Sequence, residues 1–321
     1  MNSLNLFFEG SDFVSTFFKE NVTHKETNID ECDFMVSSSF KFGVVNKKEI
    51  QKSLDKYHDF QKNVIVFLCS DYSGLLTVPK NVLLFRTSIY KSIKQKNEFL
   101  LPYIWESFDE NFKELSKTTK PIIGFCGNVK NNSGYRQSCI NRLESETKIE
   151  TNFIGRDGFW GGKPNDKEFS LEFKKNILNS HFTLSNRGKG NFSIRFYQVL
   201  SLGRIPALID TDMVFPFENE IDWDNIIIKT KTEKALIKKI TSWWETKNDD
   251  EIIEIERKCK EIFDSYFSTK SYGNRVFDLL NSIKKSNFVI ENNTNLKSNL
   301  INLPELKYKI NKHLNLIKSK F

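Results

Sequence analysis

The stretch SNRGKGNFSIRF, at 185–196, places two arginines around two glycines. Arg187 and Arg195 carry planar guanidinium groups of the kind that bind phosphate oxygens in pairs. A glycine turn that leads into a helix also presents free backbone N–H groups at the positive end of the helix dipole. These residues have the chemistry of a site for a phosphorylated ligand. A solvated basic turn before a core helix is an equal alternative on this spacing alone, because GKGN matches no strict phosphate-loop formula.

The residues that follow predict the helix that would position this turn. Phe192, Phe196 and Val199 recur at helical spacing and share one face, which we expect to pack on a sheet. Asn191 is placed to cap the start of the helix, and Gly203 is placed to end it.

Two carboxylates follow other predicted strands. Asp71 comes directly after the apolar strand at 63–69, where it is our first candidate for a general base; an Asx turn is the alternative. Asp157 lies beside Arg156 in IGRDGFWGG. A carboxylate and aromatic residues in a strand-end loop are what a sugar site needs, and an ordinary loop buried by its aromatic residues is the alternative.

A D-x-D triplet, formed by Asp210, Thr211 and Asp212, follows the predicted strand at 205–210. Such a triplet can hold a metal ion on a diphosphate because carboxylates suit hard cations. We favour a turn cap, since short triplets of this kind arise often by chance. The four histidines show no ligand or triad spacing, so we expect no metal site.

The composition narrows the class of protein. The chain has 321 residues, 13% of them aromatic, which is enough for two domains with apolar cores. A net charge of +7, without a dense basic stripe, argues against a nucleic-acid partner. Five scattered cysteines without a CxxC pair argue against a disulfide framework or a zinc site. The sequence shows no basic leader and no apolar run of roughly 18 residues, which predicts a cytoplasmic protein.

Strands and helices alternate along the chain in two series of similar length. The first series has predicted strands at 4–8, 33–37, 63–69 and 81–85 and a helix at 47–60. The second has strands at 121–128, 181–185, 205–210 and 225–230, and a strand with a glycine-rich loop at 150–162. Its helices are predicted at 135–146, 168–179, 193–203, 233–245, 249–267 and 271–285. This order predicts two helix-covered parallel sheets with a ligand at the carboxyl ends of the strands. We place the domains at 1–118 and 119–285.

The C-terminal residues differ from both series. Residues 286–302 are rich in asparagine and read as a linker. In 303–321, leucine, isoleucine and phenylalanine recur at three- and four-residue steps, with lysines off that stripe, which predicts a basic amphipathic helix. Packing on the body of the protein or on a partner is the favoured interpretation, and peripheral contact with a membrane surface is the alternative.

The segment HFTLSNRGKGNFSIRFYQVLSLGRIPALIDTDMVFPFENEIDW, at 181–223, resembles the core motif of the exostosin-type glycosyltransferases. That motif has a strand with F-x-L, a P-R-G turn, S-x-R-x-x-E on a helix, L-x-x-G-x-I-P-V, a P-F pair and a D-W pair. The matched positions are Phe182, Thr183, Leu184, Arg187, Gly188, Ser193, Arg195, Leu202, Gly203, Ile205, Pro206, Pro216, Phe217, Asp222 and Trp223. Weaker likeness to soluble bacterial and viral members extends the resemblance over 63–285.

The resemblance implies a GT-B fold: an α/β protein in which two Rossmann-like domains face a cleft, here with a C-terminal amphipathic helix added. It also implies an inverting hexosyl- or pentosyltransferase. The donor would be a nucleotide-sugar, usually UDP-linked, and the acceptor an oligosaccharide, a lipid-linked glycan or a polysaccharide. No cofactor and no obligatory metal are expected. The first domain would lie on the acceptor side, and the second would hold the donor.

The resemblance also assigns roles to residues. Arg187 and Arg195 would contact the diphosphate, and Gly188 would allow close approach of the backbone. The full set of donor-binding candidates is Gly127, Arg136, Arg156, Arg187, Gly188, Ser193, Arg195 and Gln198. Asp71 is the first choice for the catalytic base because inverting GT-B enzymes usually supply the base from the first domain, and Asp157 is the second choice.

Two positions depart from the family pattern. Asn186 replaces the proline of P-R-G, which we expect to loosen the turn. Gln198 stands where the family usually has a glutamate that holds the ribose hydroxyls of the nucleotide. Glutamine can still bond a hydroxyl, but the charge-assisted bond, worth roughly 1 kcal/mol, is lost.

Overall fold

In the computed structural model, the described residues are 3–37, 46–103, 107–108, 110–129, 135–158 and 166–286. They form two compact units, each built on a parallel sheet. The predicted class, an α/β protein with two Rossmann-like domains, is confirmed. Among the described residues, no helix combines the length and the apolar character that crossing a membrane requires.

The first unit contains a six-stranded parallel sheet in the order β2-β1-β3-β4-β5-β6. Its strands are β1 (Leu4–Phe8), β2 (His24–Glu26), β3 (Phe34–Val36), β4 (Asn63–Leu68), β5 (Val82–Arg86) and β6 (Glu98–Leu100), and its first helices are α1 (Phe13–Asn21) and α2 (Lys47–Asp55). The residues of β4 after Asn63 are all buried, as expected for a strand covered on both faces. The sequence did not predict α1, β2 or β6.

The second unit contains a five-stranded parallel sheet in the order β11-β10-β9-β7-β8. Its strands are β7 (Ile122–Asn128), β8 (Glu150–Arg156), β9 (Phe182–Leu184), β10 (Ile205–Ile209) and β11 (Ile228–Thr230). Its helices are α3 (Tyr135–Glu144), α4 (Lys167–Leu178), α5 (Ile194–Ser201), α6 (Trp223–Ile226), α7 (Glu233–Thr246) and α8 (Asp249–Ile262), followed by a π-helical turn at Phe263–Phe267.

The strand order of the second sheet creates a switch point between β7 and β9. The chain moves from β7 outward to β8, and then returns to the other side of β7 to form β9. In open parallel sheets, ligands bind outside the carboxyl ends of the strands at such a point. The arginine-containing turn follows β9 and therefore begins at this edge of the sheet.

The division into units differs from the domains placed on the sequence. Of the described residues, the first unit contains 3–37, 46–103, 212–216 and 265–286, whereas 107–108 and 110–118 belong to the second unit. The last described helix, α9 (Thr269–Ser286), therefore packs on the first unit instead of the second. The reason is steric fit. Gly273 lies so close to the backbone of Asn21 that a Cβ on it would be 2.2 Å from the Asn21 carbonyl oxygen. The predicted linker at 286–302, apart from its first residue, and the predicted helix at 303–321 lie outside the described residues.

Candidate functional site

Helix α5 begins later than the sequence predicts. Its N-cap residue is Ser193 rather than Asn191, and its first residue is Ile194. The prediction of Asn191 as the cap is wrong because the Asn191 side chain accepts hydrogen bonds from Arg187 and Thr211 instead. The Ser193 side chain makes no capping hydrogen bond, although the Phe196 N–H donates to the Ser193 carbonyl oxygen at 3.1 Å. The N–H groups of Ile194 and Arg195 therefore receive no side-chain cap. Gly203, with φ of +63°, follows the helix end as predicted.

Arg195 lies in the first turn of α5 and reaches the carboxyl end of β7. Its Nη2 donates to the Cys126 carbonyl oxygen at 2.7 Å, and its guanidinium carbon lies 4.4 Å from the centre of the Phe125 ring. Only 6% of the residue is exposed. Gly127 makes room for it, since a Cβ there would lie 2.7 Å from Nη2. The arginine therefore joins the first turn of α5 to the carboxyl end of β7, one of the two strands that border the switch point.

The guanidinium of Arg195 has hydrogen-bonding capacity left over. Within the part of the chain that the structure describes, its Nε and Nη1 are buried without a hydrogen-bond partner, and it forms no ion pair. Burial, together with the neighbouring positive charge of Arg136, lowers the pKa of Arg195 to about 9. The group thus stays charged at pH 7. A buried cation without a counter-ion is costly unless an anion comes to it, so this geometry favours an anionic ligand.

Arg136, from α3, lies beside the same strand end. Its Nη1 donates to the Asn128 carbonyl oxygen at 3.1 Å, and Nε and Nη2 donate to the Asn186 carbonyl oxygen at 3.4 and 3.3 Å. A Cβ on Gly188 would lie 3.5 Å from Arg136 Nη2, which is an ordinary contact. The protein's own packing therefore does not require glycine at 188.

Arg187 holds the shape of the turn after β9. It is almost fully buried, and it donates from Nη1 to Asn191 Oδ1 at 2.7 Å and from Nη2 to the Lys189 carbonyl oxygen at 2.9 Å. Both bonds lie within the turn itself, so Arg187 makes the turn rigid.

Asn186 fixes the turn to the sheet, contrary to the expectation that it loosens the turn. The residue is 1% exposed, and its Oδ1 accepts a hydrogen bond from the Ile209 backbone N–H at 2.8 Å. A proline could not make this bond, because it has no side-chain acceptor. Asparagine therefore replaces the rigidity of a proline ring with a hydrogen bond to β10.

Three polar side chains near Arg195 have no hydrogen bond to the described residues. Ser193 and Gln198 are each 6% exposed, and Asn128 Oδ1 is buried without a partner. The donor-binding residues predicted from the sequence include Gly127 but not Asn128. A hydroxyl and two amides beside a buried cation can bind the hydroxyl groups of a ligand whose charge the arginine takes.

Arg156 has protein partners of its own, and its role in donor binding stays a prediction. It pairs with Glu172 of α4, donates to the Phe169 carbonyl oxygen at 3.3 Å, and lies over the Phe169 ring at 4.3 Å. The ion pair uses its charge to fix α4 on β8. Asp157, the next residue, is exposed, and 159–165 of the predicted aromatic loop lie outside the described residues.

Asp71 belongs to the first unit, in a turn after β4. The Tyr72 N–H donates to Ser70 Oγ at 3.1 Å, and Ser73 Oγ donates to the Asp71 carbonyl oxygen at 3.3 Å. The Asp71 residue is partly exposed. The Ser70 hydroxyl, and not the Asp71 carboxylate, accepts the backbone N–H bond described in this turn, so both the Asx turn and a chemical role for the carboxylate stay predictions.

The D-x-D triplet forms a turn, as we favoured. Asp210 pairs with Lys231 at 2.7 Å, and Asp212 Oδ2 accepts hydrogen bonds from the N–H and hydroxyl of Ser92. Asp212 has φ of +67°, a conformation suited to a tight turn. Among the described residues, no cluster of three or more histidine, cysteine or acidic side chains is arranged to hold a metal ion.

Comparison with known families gives the class of protein. The Exostosin GT47 domain matches residues 54–241, more than half of the chain. The chain belongs to the exostosin GT47 family. The match includes Arg136, Arg187, Arg195 and Gln198, and it begins after β1, β2 and β3.

Curated relatives of this exostosin GT47 chain are distant. An exostosin-1 homolog of Caenorhabditis elegans is 27% identical over 104 residues, which is 32% of this chain and 27% of that protein. Exostosin-1 of Drosophila melanogaster is 26% identical over 98 residues, or 30% of this chain and 13% of that protein. The chain thus matches about a quarter or less of the length of these relatives.

The chain can also be aligned with a solved structure. Staphylococcus aureus TarM, in a complex with fondaparinux, alpha-GlcNAc-glycerol and UDP, aligns with 73% of this chain and 59% of its own, at 12% identity and a TM-score of 0.41.

Proposed function

We propose that this exostosin GT47 chain transfers a sugar from a nucleotide-sugar donor to a hydroxyl group of a glycan or glycoconjugate. A UDP-sugar is the donor expected first. The observation that supports this most strongly is Arg195: a buried, charged guanidinium at the switch point between β7 and β9 that has no counter-ion among the described residues. A donor diphosphate would supply the missing negative charge.

In this proposal, the diphosphate is the leaving group, and the chain stabilises the charge that develops on it. Arg195 would bind a phosphate oxygen through Nε and Nη1, the two atoms that have no partner among the described residues. The N–H groups of Ile194 and Arg195, which have no side-chain cap, would add hydrogen bonds at the positive end of the helix dipole. Arg136 and Arg187 would raise the positive potential without having to move. Since arginines and a helix end carry the charge, added chelator should leave activity intact.

The acceptor hydroxyl would attack the anomeric carbon on the face opposite the diphosphate, which inverts the configuration in one displacement. Its proton would pass to a carboxylate. Asp71 is the first choice for that base and Asp157 the second, as the family resemblance suggests. An oligosaccharide, a lipid-linked glycan and a polysaccharide are the acceptor classes to test.

A panel of UDP-, GDP- and CDP-sugars, incubated with and without simple glycosides, tests this proposal. The expected result is release of free nucleoside diphosphate from one donor by the wild-type chain and none by an Arg195→Met variant. Release at the same rate by both proteins would contradict the assignment of the diphosphate site. Asp71→Asn should lower kcat more than threefold if Asp71 is the base.

A second candidate, a non-catalytic module that binds nucleotides or glycans, is favoured by one observation, the presence of Gln198 where the family usually has glutamate. The same panel separates the two functions. A binding module would bind UDP but release none from any UDP-sugar.

A further inference from the structure

Gln198 lies on the same helix as Arg195, which has no counter-ion among the described residues. The two residues are three positions apart on α5, so their Cβ atoms lie about 5–6 Å apart on the same flank of the helix. Both side chains are buried, with 6% of each residue exposed. The Gln198 amide does not bond to Arg195 in the structure, but this spacing allows a long side chain at 198 to approach the guanidinium.

A carboxylate at 198 would change the electrostatics of this site. An acidic group about one helical turn from a buried guanidinium would pair with it and neutralise it. The glutamine amide has no charge, and its side chain makes no hydrogen bond to the described residues. Arg195 consequently keeps its full charge, and Arg136 adds repulsion, as the lowered pKa of Arg195 indicates.

We propose that Gln198 leaves Arg195 without an internal counter-ion, so that the site selects its ligand by the diphosphate rather than by the ribose. Inorganic pyrophosphate and nucleoside diphosphates of any base fit a site of this kind. The inference rests on the proposed function, because it assigns a ligand class to the same site. The family pattern gives the expectation that losing the glutamate weakens donor binding. The inference predicts the opposite, because the charge-assisted bond to the ribose is lost but the full positive charge of Arg195 remains for the phosphates.

The physical reason is the difference between the two interactions. A hydrogen bond between a neutral amide and a ribose hydroxyl is partly offset by bonds to water in the free state. A phosphate oxygen that pairs with a buried guanidinium also removes the cost of leaving that cation unpaired. The empty site is therefore destabilised locally, and a diphosphate both binds and stabilises the fold.

The test compares the wild-type chain with Gln198→Glu, and uses Gln61→Glu as a control. Gln61 is exposed on the first unit, so the control makes the same chemical change away from α5. Calorimetry in metal-free buffer without phosphate or sulfate measures the Kd of pyrophosphate and of UDP. Thermal unfolding without ligand measures Tm.

Three results are expected. Gln198→Glu binds pyrophosphate at least fivefold more weakly than wild type, while Gln61→Glu does not. Its Tm without ligand rises by about 2 °C or more, because Arg195 gains a counter-ion. Wild type binds pyrophosphate within tenfold of its affinity for UDP.

The contrary results are equally specific. A smaller loss of pyrophosphate affinity, or a gain, overturns the inference while leaving the diphosphate site intact. UDP binding with pyrophosphate more than tenfold weaker overturns the preference for the diphosphate. If wild type binds neither ligand, the proposed function fails and the assigned ligand class fails with it. The Tm comparison then still decides whether Arg195 lacked a counter-ion.

Discussion

Arg195 occupies the space that a side chain at Gly127 would need. A Cβ at 127 would lie 2.7 Å from Arg195 Nη2, and Gly127 has φ of +144°, a conformation that residues with a side chain rarely adopt. The glycine at the end of β7 thus allows the guanidinium from α5 to lie across the strand end. The two residues are 68 positions apart in the sequence, and they define the site together.

Replacing Gly127 with alanine should displace the Arg195 side chain. We expect Gly127→Ala to weaken UDP binding at least tenfold by calorimetry and to lower the free energy of unfolding by about 1–3 kcal/mol, the usual cost of a strained backbone position. Gly155→Ala is the matched control because Gly155 pairs with Gly127 on the neighbouring strand, and a Cβ there meets only Val129 Cγ2 at 3.3 Å. Equal UDP affinities of the two variants would show that the guanidinium position does not matter.

The hydrogen bond from the Ile209 N–H to Asn186 Oδ1 predicts a structural role for Asn186. Asn186→Ala would leave that buried N–H without a partner, which costs about 1–3 kcal/mol of unfolding free energy. Urea unfolding measures the loss. Asn225→Ala is the control, since Asn225 is exposed and bonds only to the nearby Asp222 carboxylate in the hydrogen bonds described. A loss no larger than the control's would mean that the turn does not depend on this bond.

His181 predicts how stability changes with pH. Its Nδ1 accepts from the Ile122 N–H at 3.3 Å and its Nε2 donates to the Ser116 carbonyl oxygen at 3.0 Å, so the ring is neutral in the fold. Burial lowers the pKa of His181 to about 4 from its ordinary value of 6.5. The unfolded chain therefore takes up this proton first as the pH falls.

The contribution of His181 is complete above pH 6.5 and is lost as the pH falls toward 4. The loss of this contribution should lower the free energy of unfolding by about 2–4 kcal/mol between pH 6.5 and pH 4. Urea unfolding at several pH values should show this fall in the free energy of unfolding for wild type. The control His58→Gln should show the same fall, because the His58 imidazole is exposed, and His181→Gln should show a much smaller one. A slope that survives in His181→Gln would assign the pH dependence to other groups.

The sequence predicted the elements well where a strand was apolar or a helix was periodic, as at β4, β7, β10 and α7. It missed β2 and β6, which are three residues each and carry little pattern. It also placed the boundary between the domains at 118, because a proline-bounded polar stretch resembles a linker. No local pattern shows that α9 returns to the first unit, since that depends on the fit of Gly273 against Asn21.

The candidate site was predicted in part. Residue type and spacing identified Arg187, Arg195 and Gly188, and the family motif added Gln198. The local sequence could not show that Arg156 forms an ion pair with Glu172, because that partner lies 16 positions away on another element. Nor could it show that Asn128 Oδ1 is buried without a partner. Such facts depend on which strand ends meet at the switch point.

Arg195→Met tests the central claim most directly, because methionine fills a similar apolar space without the charge. If the role of Arg195 is to bind a diphosphate, the Tm of the variant should equal or exceed that of wild type, because a buried cation with no counter-ion among the described residues is removed. The variant should also bind UDP at least tenfold more weakly. Calorimetry with UDP and thermal unfolding on the same preparations give both numbers. A lower Tm together with unchanged UDP affinity would contradict the account, and would make Arg195 a structural residue that serves the Cys126 carbonyl alone.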